Sequence, residues 1–214
     1  MNRDLSDLLI HVRQHVPGCP EQMMLDALRA KFRELCERSA VWRERLPKLD
    51  VYKGLSDYEL DIPFNMQLVA LRQLYWGDRA LPFRSIEKVR ATDGGSDTPM
   101  SSEPDWWTMP ELSVVRLYPA PDADATGQVE PYAAVTLAQG ESVFPADLMR
   151  FAEGIGFGAA SRLKLMPGME WTDREGAQAF DREFRVTVSD ATRASITGMS
   201  GNPGHASNAA FNPP

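Results

Sequence analysis

The chemistry open to this chain is set by where its histidines, cysteines and carboxylates fall. His11 and His15 stand four residues apart, and Cys19 follows four later, the spacing of one edge of a metal site. A tetrahedral zinc centre needs four protein ligands, or three and a water. Pro17-Gly18 interrupts the helix before Cys19, no complementary Cys/His pair lies elsewhere, and His205 is isolated near the other end. The pattern predicts surface or capping histidines and no metal site. Gly154-x-Gly156-x-Gly158 has the look of a phosphate loop, but a phosphate cradle puts its glycines at a strand-to-helix turn. These sit inside a helical pattern with no lysine in the required place, so they predict close helix packing. No Gly-x-Ser-x-Gly elbow is present. Asp57, Glu59 and Asp61 alternate with Tyr58, Leu60 and Ile62, which reads as a strand with carboxylates to solvent and apolar groups to a core. The residues predict no catalytic centre, no cofactor and no enzyme.

The elements that carry these residues are organised around 20–42, PEQMMLDALRAKFRELCERSAVW. Leu25, Leu28, Phe32, Leu35 and Cys36 recur at helical spacing and share one stripe. Pro20 suits a first helical turn, and Glu21 complements the positive end of the helix dipole. Cys36 on that stripe reads as core filling. A helix of this length is marginal alone, so the stripe needs partners. Two later segments can supply them. Residues 145–165 present Leu148, Phe151, Ala152, Ile155, Ala159 and Leu163, and residues 172–196 present Ala177, Phe180, Phe184, Val188 and Ala191. Thr172-Asp173-Arg174-Glu175 matches a capping box and places the start of the last helix. Residues 2–16 predict a further short helix with Leu5, Leu8, Leu9, Val12 and Val16 on its apolar face.

Between these helices the pattern changes. Residues 46–51 read as extended or loop, and 58–62 as a half-buried strand. Residues 67–76 (QLVALRQLYW) read as strand or helix; Gly77-Asp78 and a returning 80–83 favour a hairpin. Residues 92–104 form a polar loop, with Trp106-Trp107 after it. Residues 112–118 and 132–137 are the next strands, with PAPDADATGQVEP as the loop between them. The predicted fold is α+β: a helical bundle of N- and C-terminal helices, 1–45 and 143–196, with an inserted small antiparallel β-sheet lobe at 55–140. All of 1–196 is predicted as one domain. Residues 197–214 (TGMSGNPGHASNAAFNPP) carry no Asp, Glu, Lys or Arg and cannot form a core of their own, so they predict an extended C-terminal tail.

The 214 residues are 43% hydrophobic and 25% charged, with a net charge of −7. Residues 101–150 hold eight carboxylates against Arg116 and Arg150, so most of that charge is concentrated there. A protein that grips DNA shows a basic stripe instead. Two cysteines are too few for a disulfide scaffold, no run is long and apolar enough for a membrane span, and MNRDLSDLLIHV does not read as a signal peptide. Assembly in a reducing cytoplasm is the expectation.

The order of the pieces carries a resemblance. ALRAKFRELCERSAVW, with Ala27-Leu28-Arg29, Phe32, Cys36, Arg38 and Val41-Trp42, resembles the early helix of head-to-tail adaptor (connector) proteins of tailed bacteriophages, especially podovirus-like ones. YELDIPFNMQLVALRQLYWGDRAL is similar to that family's following strand pair, and VRLYPAPDADATGQVEPYAAVTLA to its later hairpin, with Leu117-Tyr118-Pro119-Ala120-Pro121. FPADLMRFAEGIGFGAASRLKLMPGMEW is similar to its closing small-residue helix, ending at Trp171. Each motif is loose and their shared order is the stronger signal. The glycine-dense 154–158 and the uncharged tail depart from the pattern.

The resemblance implies a structural virion protein at the head–tail junction, assembled in the host cytoplasm. It implies a self-associated ring, usually of twelve copies, joining the portal protein to a tail or nozzle protein. The ring forms part of the channel through which double-stranded DNA passes without sequence-specific binding; no membrane is involved. A ring needs two different patches per subunit. Trp106 and Trp107 are candidates for one, and Met199, Asn202, Phe211 and Asn212 of the tail for contact with the portal. Glu103, Asp122, Asp124 and Glu130 are candidates to line the channel and repel DNA phosphates. The alternatives are a tail-tube or collar protein that contacts other tail components, and a small metal-dependent enzyme.

Overall fold

The computed structural model describes residues 2–87 and 99–197. It divides into two compact units, Met1–Trp42 with Thr136–Pro214, and Arg43–Val135.

In the first unit, β1 (Asn2–Asp4) pairs antiparallel with a late strand, β12 (Val143–Pro145). A 3-10 turn, Leu5–Leu8, and a four-residue helix α1 (Ile10–Arg13) follow. Residues 2–16 are therefore not one helix. The Asp4 carboxylate accepts from the Ser6 N–H at 2.8 Å and caps the 3-10 turn, so helical structure begins only after β1. The expected apolar face survives the change, because Leu5, Leu8, Leu9, Val12 and Val16 are all buried.

Helix α2 (Glu21–Ser39) is the predicted organising helix. Its buried row is Met24, Ala27, Leu28, Phe32, Leu35 and Cys36, so Met24 and Ala27 take the place expected for Leu25, which is half-buried. The helix ends where Ala40 turns left-handed, at φ 51°, with its N–H on the Cys36 carbonyl at 2.8 Å. Phe32 meets Trp42 edge-on at 6.1 Å and Phe144 at 4.7 Å between ring centres. Such aromatic pairs add about 0.5–1.5 kcal/mol beyond area burial, so this trio is a strong point of the core.

A second 3-10 stretch, Ala146–Phe151, leads into α3 (Ala152–Lys164), and α4 (Arg174–Thr197) closes the unit. The predicted 145–165 helix is thus α-helical only in its second part. Both later helices pack on α2 and on each other. The Asp173 carboxylate accepts from the Gly176 N–H at 2.9 Å, so Asp173 caps α4. Thr172 instead donates to the Met166 carbonyl.

The described residues of the second unit are mainly strand and loop, with Ile86-Glu87 helical. A five-stranded sheet contains β2 (Arg43–Arg45), β11 (Ala125–Leu137), β5 (Met66–Trp76) and β6 (Arg79–Leu81) in that order, with β3 (Leu49–Val51) also on β11. A three-stranded antiparallel sheet is ordered β4 (Asp57–Glu59), β9 (Val114–Tyr118), β8 (Trp106–Glu111). β7 (Met100–Ser101) and β10 (Ala120–Pro121) form a short parallel pair. Residues 66–76 are strand, and β5 turns through Gly77-Asp78 into β6 with Trp76 opposite Arg79. The left-handed φ of 56° at Gly77 suits that tight two-residue turn.

The expected helical bundle with a small inserted sheet is overturned. Among the described residues the protein is mixed α/β, with four helices and several antiparallel sheets including a half-barrel. The physical reason lies in strand length. Strands such as 43–45, 49–51 and 79–81 are too short to show a period in sequence. The stretch expected as a loop between 118 and 132 mostly belongs to β11; Gly127, at φ 62°, sits where the register with β3 shifts between Ala125 and Val129.

Candidate interaction surfaces

The residues that could do chemistry are engaged in packing. The His15 ring lies 4.6 Å from Phe180 and 5.5 Å from Phe157, which stack on each other at 5.4 Å. Burial lowers its pKa below the ordinary imidazole value, and the nearby Lys164 ammonium works in the same direction while Glu153 opposes it. Cys19 is buried, which pushes its thiol up. Cys36 is fully buried and its thiol is pushed up to about 12, chiefly by that burial. Both cysteines are free thiols. Among the described residues no three His, Cys, Asp or Glu side chains gather as metal ligands, and no helix is long and apolar enough to cross a membrane.

The glycine run lies at close contacts within the helical unit. A Cβ on Gly154 would meet Thr187 Cβ at 2.5 Å, one on Gly156 the His11 carbonyl oxygen at 2.9 Å, and one on Gly158 the Phe184 ring at 2.7 Å. The three glycines let α3 approach α1 and α4 more closely than any larger residue permits. This is the packing role their helical context predicted.

Trp106 and Trp107 stand on β8 opposite Tyr118 and Leu117. Trp106 stacks on Tyr118 at 4.5 Å, and the Trp107 indole N–H donates to the Leu81 carbonyl at 3.0 Å. Both are buried within their own unit. The expectation that they lie in a loop offering apolar surface is corrected: adjacent side chains on a strand point to opposite faces, and here each face is covered. Exposed apolar surface in the second unit includes instead Phe64, Phe83 and Leu112, together with Tyr52, Leu55 and Met100. The sequence pattern puts Leu112 at the start of a strand; it lies instead in the turn between β8 and β9, which leaves it exposed.

The four acidic candidates differ in how much charge they leave uncompensated. Glu103 pairs with Arg79 at 3.4 Å, and Glu130 with Arg45 at 2.8 Å. Asp124 accepts from the Lys53 backbone N–H at 2.7 Å, which orders it without neutralising it. Asp122 has no side-chain partner among the described residues. The second unit as a whole holds 15 carboxylates against 10 basic side chains, and the first holds 15 against 13. Met199, Asn202, Phe211 and Asn212 lie outside the described residues, as does His205.

The helical unit presents one basic groove that sequence reading missed. It has a volume of about 560 Å³ and lies along α3 and α4, between Arg162 and Leu165 on one side and Arg182 and Arg185 on the other, with Lys31 of α2 at its edge. Arg185 pairs with Asp181 at 2.6 Å, and Lys31 with Glu34 at 2.7 Å. Arg162 and Arg182 are exposed and carry no partner among the described residues. Nothing in sequence order brings residues 31, 162 and 182 together; the packing of three helices does. No family model matches the chain, and no curated protein matches it.

Proposed function

We propose that this chain is a head-to-tail adaptor of a tailed bacteriophage, a virion protein whose work is assembly and not turnover. The observation that carries the reading is the shared order of its motifs, from Ala27-Leu28-Arg29 through Val41-Trp42 and Leu117-Tyr118-Pro119 to the small-residue helix ending at Trp171. Two features of the described surface support it. A closed ring joined head to tail uses two chemically different patches on each copy. The helical unit offers unpaired cations, and the strand unit offers excess carboxylates and exposed Phe64, Phe83 and Leu112.

In this reading about twelve copies form a ring beneath the portal protein at the head–tail junction and receive a tail or nozzle protein on the other side, as the family resemblance implies. Double-stranded DNA passes through the ring without being read. Asp122 and Asp124 supply the uncompensated charge at the channel, and the paired Glu103 and Glu130 supply less. Screening limits such repulsion to about 8 Å at physiological salt, so it acts only on phosphates that come close to the wall and opposes sticking. The tail, 197–214, orders on the portal and adds contacts at the cost of its own chain entropy.

The test is co-expression with the portal protein of the same phage, followed by size exclusion and electron microscopy. The expected product is a portal ring with a second ring of this chain stacked beneath it. Failure of the two proteins to co-fractionate sinks the adaptor reading. Co-fractionation with tail components in its place supports the tail-tube or collar alternative.

A further inference from the structure

We infer that the basic groove along α3 and α4 of one copy receives the tip of the three-stranded sheet of a second copy. The inference rests on the ring reading and names the two patches that make the ring close. On the groove side, Arg162 and Arg182 are unpaired cations beside Leu165, an apolar side chain that is 56% exposed. An apolar group flanked by unpaired guanidinium groups suits a partner that brings carboxylates and an apolar side chain together, because guanidinium binds carboxylate through paired N–H donors.

The chain itself carries that combination. In the three-stranded sheet Glu59 and Glu111 both stand opposite Val114, one on each neighbouring strand. Directly opposed residues of antiparallel strands point to the same face. The two glutamates therefore share a face, with backbones about 10 Å apart, two inter-strand spacings. Neither has a partner among the described residues. Leu112, 70% exposed, sits in the turn beside Glu111. Two carboxylates and a leucine at a hairpin tip complement two arginines and a leucine in a groove. The two patches differ, so the contact between copies is heterologous, of the kind that builds rings.

The test is charge exchange in the full chain, read by sedimentation velocity at low and high salt. The wild type should associate at low salt and dissociate as salt is raised. R162E/R182E and E59K/E111K, each alone, should weaken association about tenfold or more, since each sets like charges against each other. An equimolar mixture of the two variants should recover it, because each then offers the other an oppositely charged patch. Circular dichroism and thermal midpoints matching the wild type show that the variants fold; L112A and L165A serve as a second pair that leaves charge unchanged and should also weaken association. The inference is overturned by a wild type that stays monomeric at low salt, by reversals that leave association intact, or by a mixture that fails to recover. A wild type that associates unaffected by these changes leaves the ring reading standing with other patches, whereas absence of portal binding removes the ring reading whatever the groove does.

Discussion

A histidine ring packed against two phenylalanines titrates differently from one in water. Burial disfavours the imidazolium of His15, Lys164 adds repulsion, and the Glu153 carboxylate returns only part of the loss. The folded-state pKa therefore lies below the unfolded value of 6.5. A depressed pKa means that the unfolded chain takes up the proton first. The stability from a neutral His15 is complete above about pH 6.5 and declines as pH falls through the folded-state value. Chemical denaturation should show a lower midpoint at pH 5.5 than at pH 7.5, and H15L should lose most of that difference while keeping an apolar contact to Phe157 and Phe180. An imidazole that titrates at or above 6.5 by NMR would contradict this account. At this scale the sequence was readable where a residue's role is fixed by its own element, as with Cys36 on the stripe. It was not readable for Trp106 and Trp107, because what covers each face of β8 comes from distant segments: Tyr118 on one side, Leu81 and Phe83 on the other.

Among the elements, α3 is the most constrained. Its three glycines forgo about 1 kcal/mol each of helix propensity relative to alanine. G156A should recover that amount and still lose stability. The added methyl meets His11 Cβ at 2.5 Å and the His11 carbonyl oxygen and carbon at 2.9 and 3.1 Å. Backbone atoms in a packed turn cannot swing aside as a side-chain tip can, and overpacking of this kind costs about 1–3 kcal/mol. A net loss of up to about 2 kcal/mol is expected in urea denaturation; a G156A protein more stable than wild type would show that α1 and α3 can part without cost. The long helices were legible because a 19- or 24-residue run repeats its apolar spacing several times. The 3-10 segments were not, since the same residues, Leu148 and Phe151, are buried whether that turn is α or 3-10. The sheets were least legible. A three-residue strand such as β2 is defined by its partner, here Tyr132 to Ala134 on β11, and not by any pattern of its own.

For the whole molecule, the two units divide the charge unequally, and the head-to-tail contact proposed between copies draws on this asymmetry. The tail is the other long-range device in the adaptor reading. Deleting 198–214 should leave circular dichroism and the thermal midpoint unchanged within error and weaken attachment to the portal; undiminished attachment would assign the portal contact to the folded units. The balance of helix to sheet was misjudged in sequence because residues 43–135 form a unit with its own buried set, including Leu74, Leu81, Trp107, Val115 and Leu117, and not a small appendage to the helices. The sealed sulfurs of Cys19 and Cys36 have a further consequence. A particle that leaves a reducing cell and waits in oxygenated water holds its subunits edge to edge for long periods, conditions in which surface thiols slowly weld neighbours together. With no thiol at the surface among the described residues, copies of this chain would, in the adaptor reading, sit side by side through that wait and remain separable.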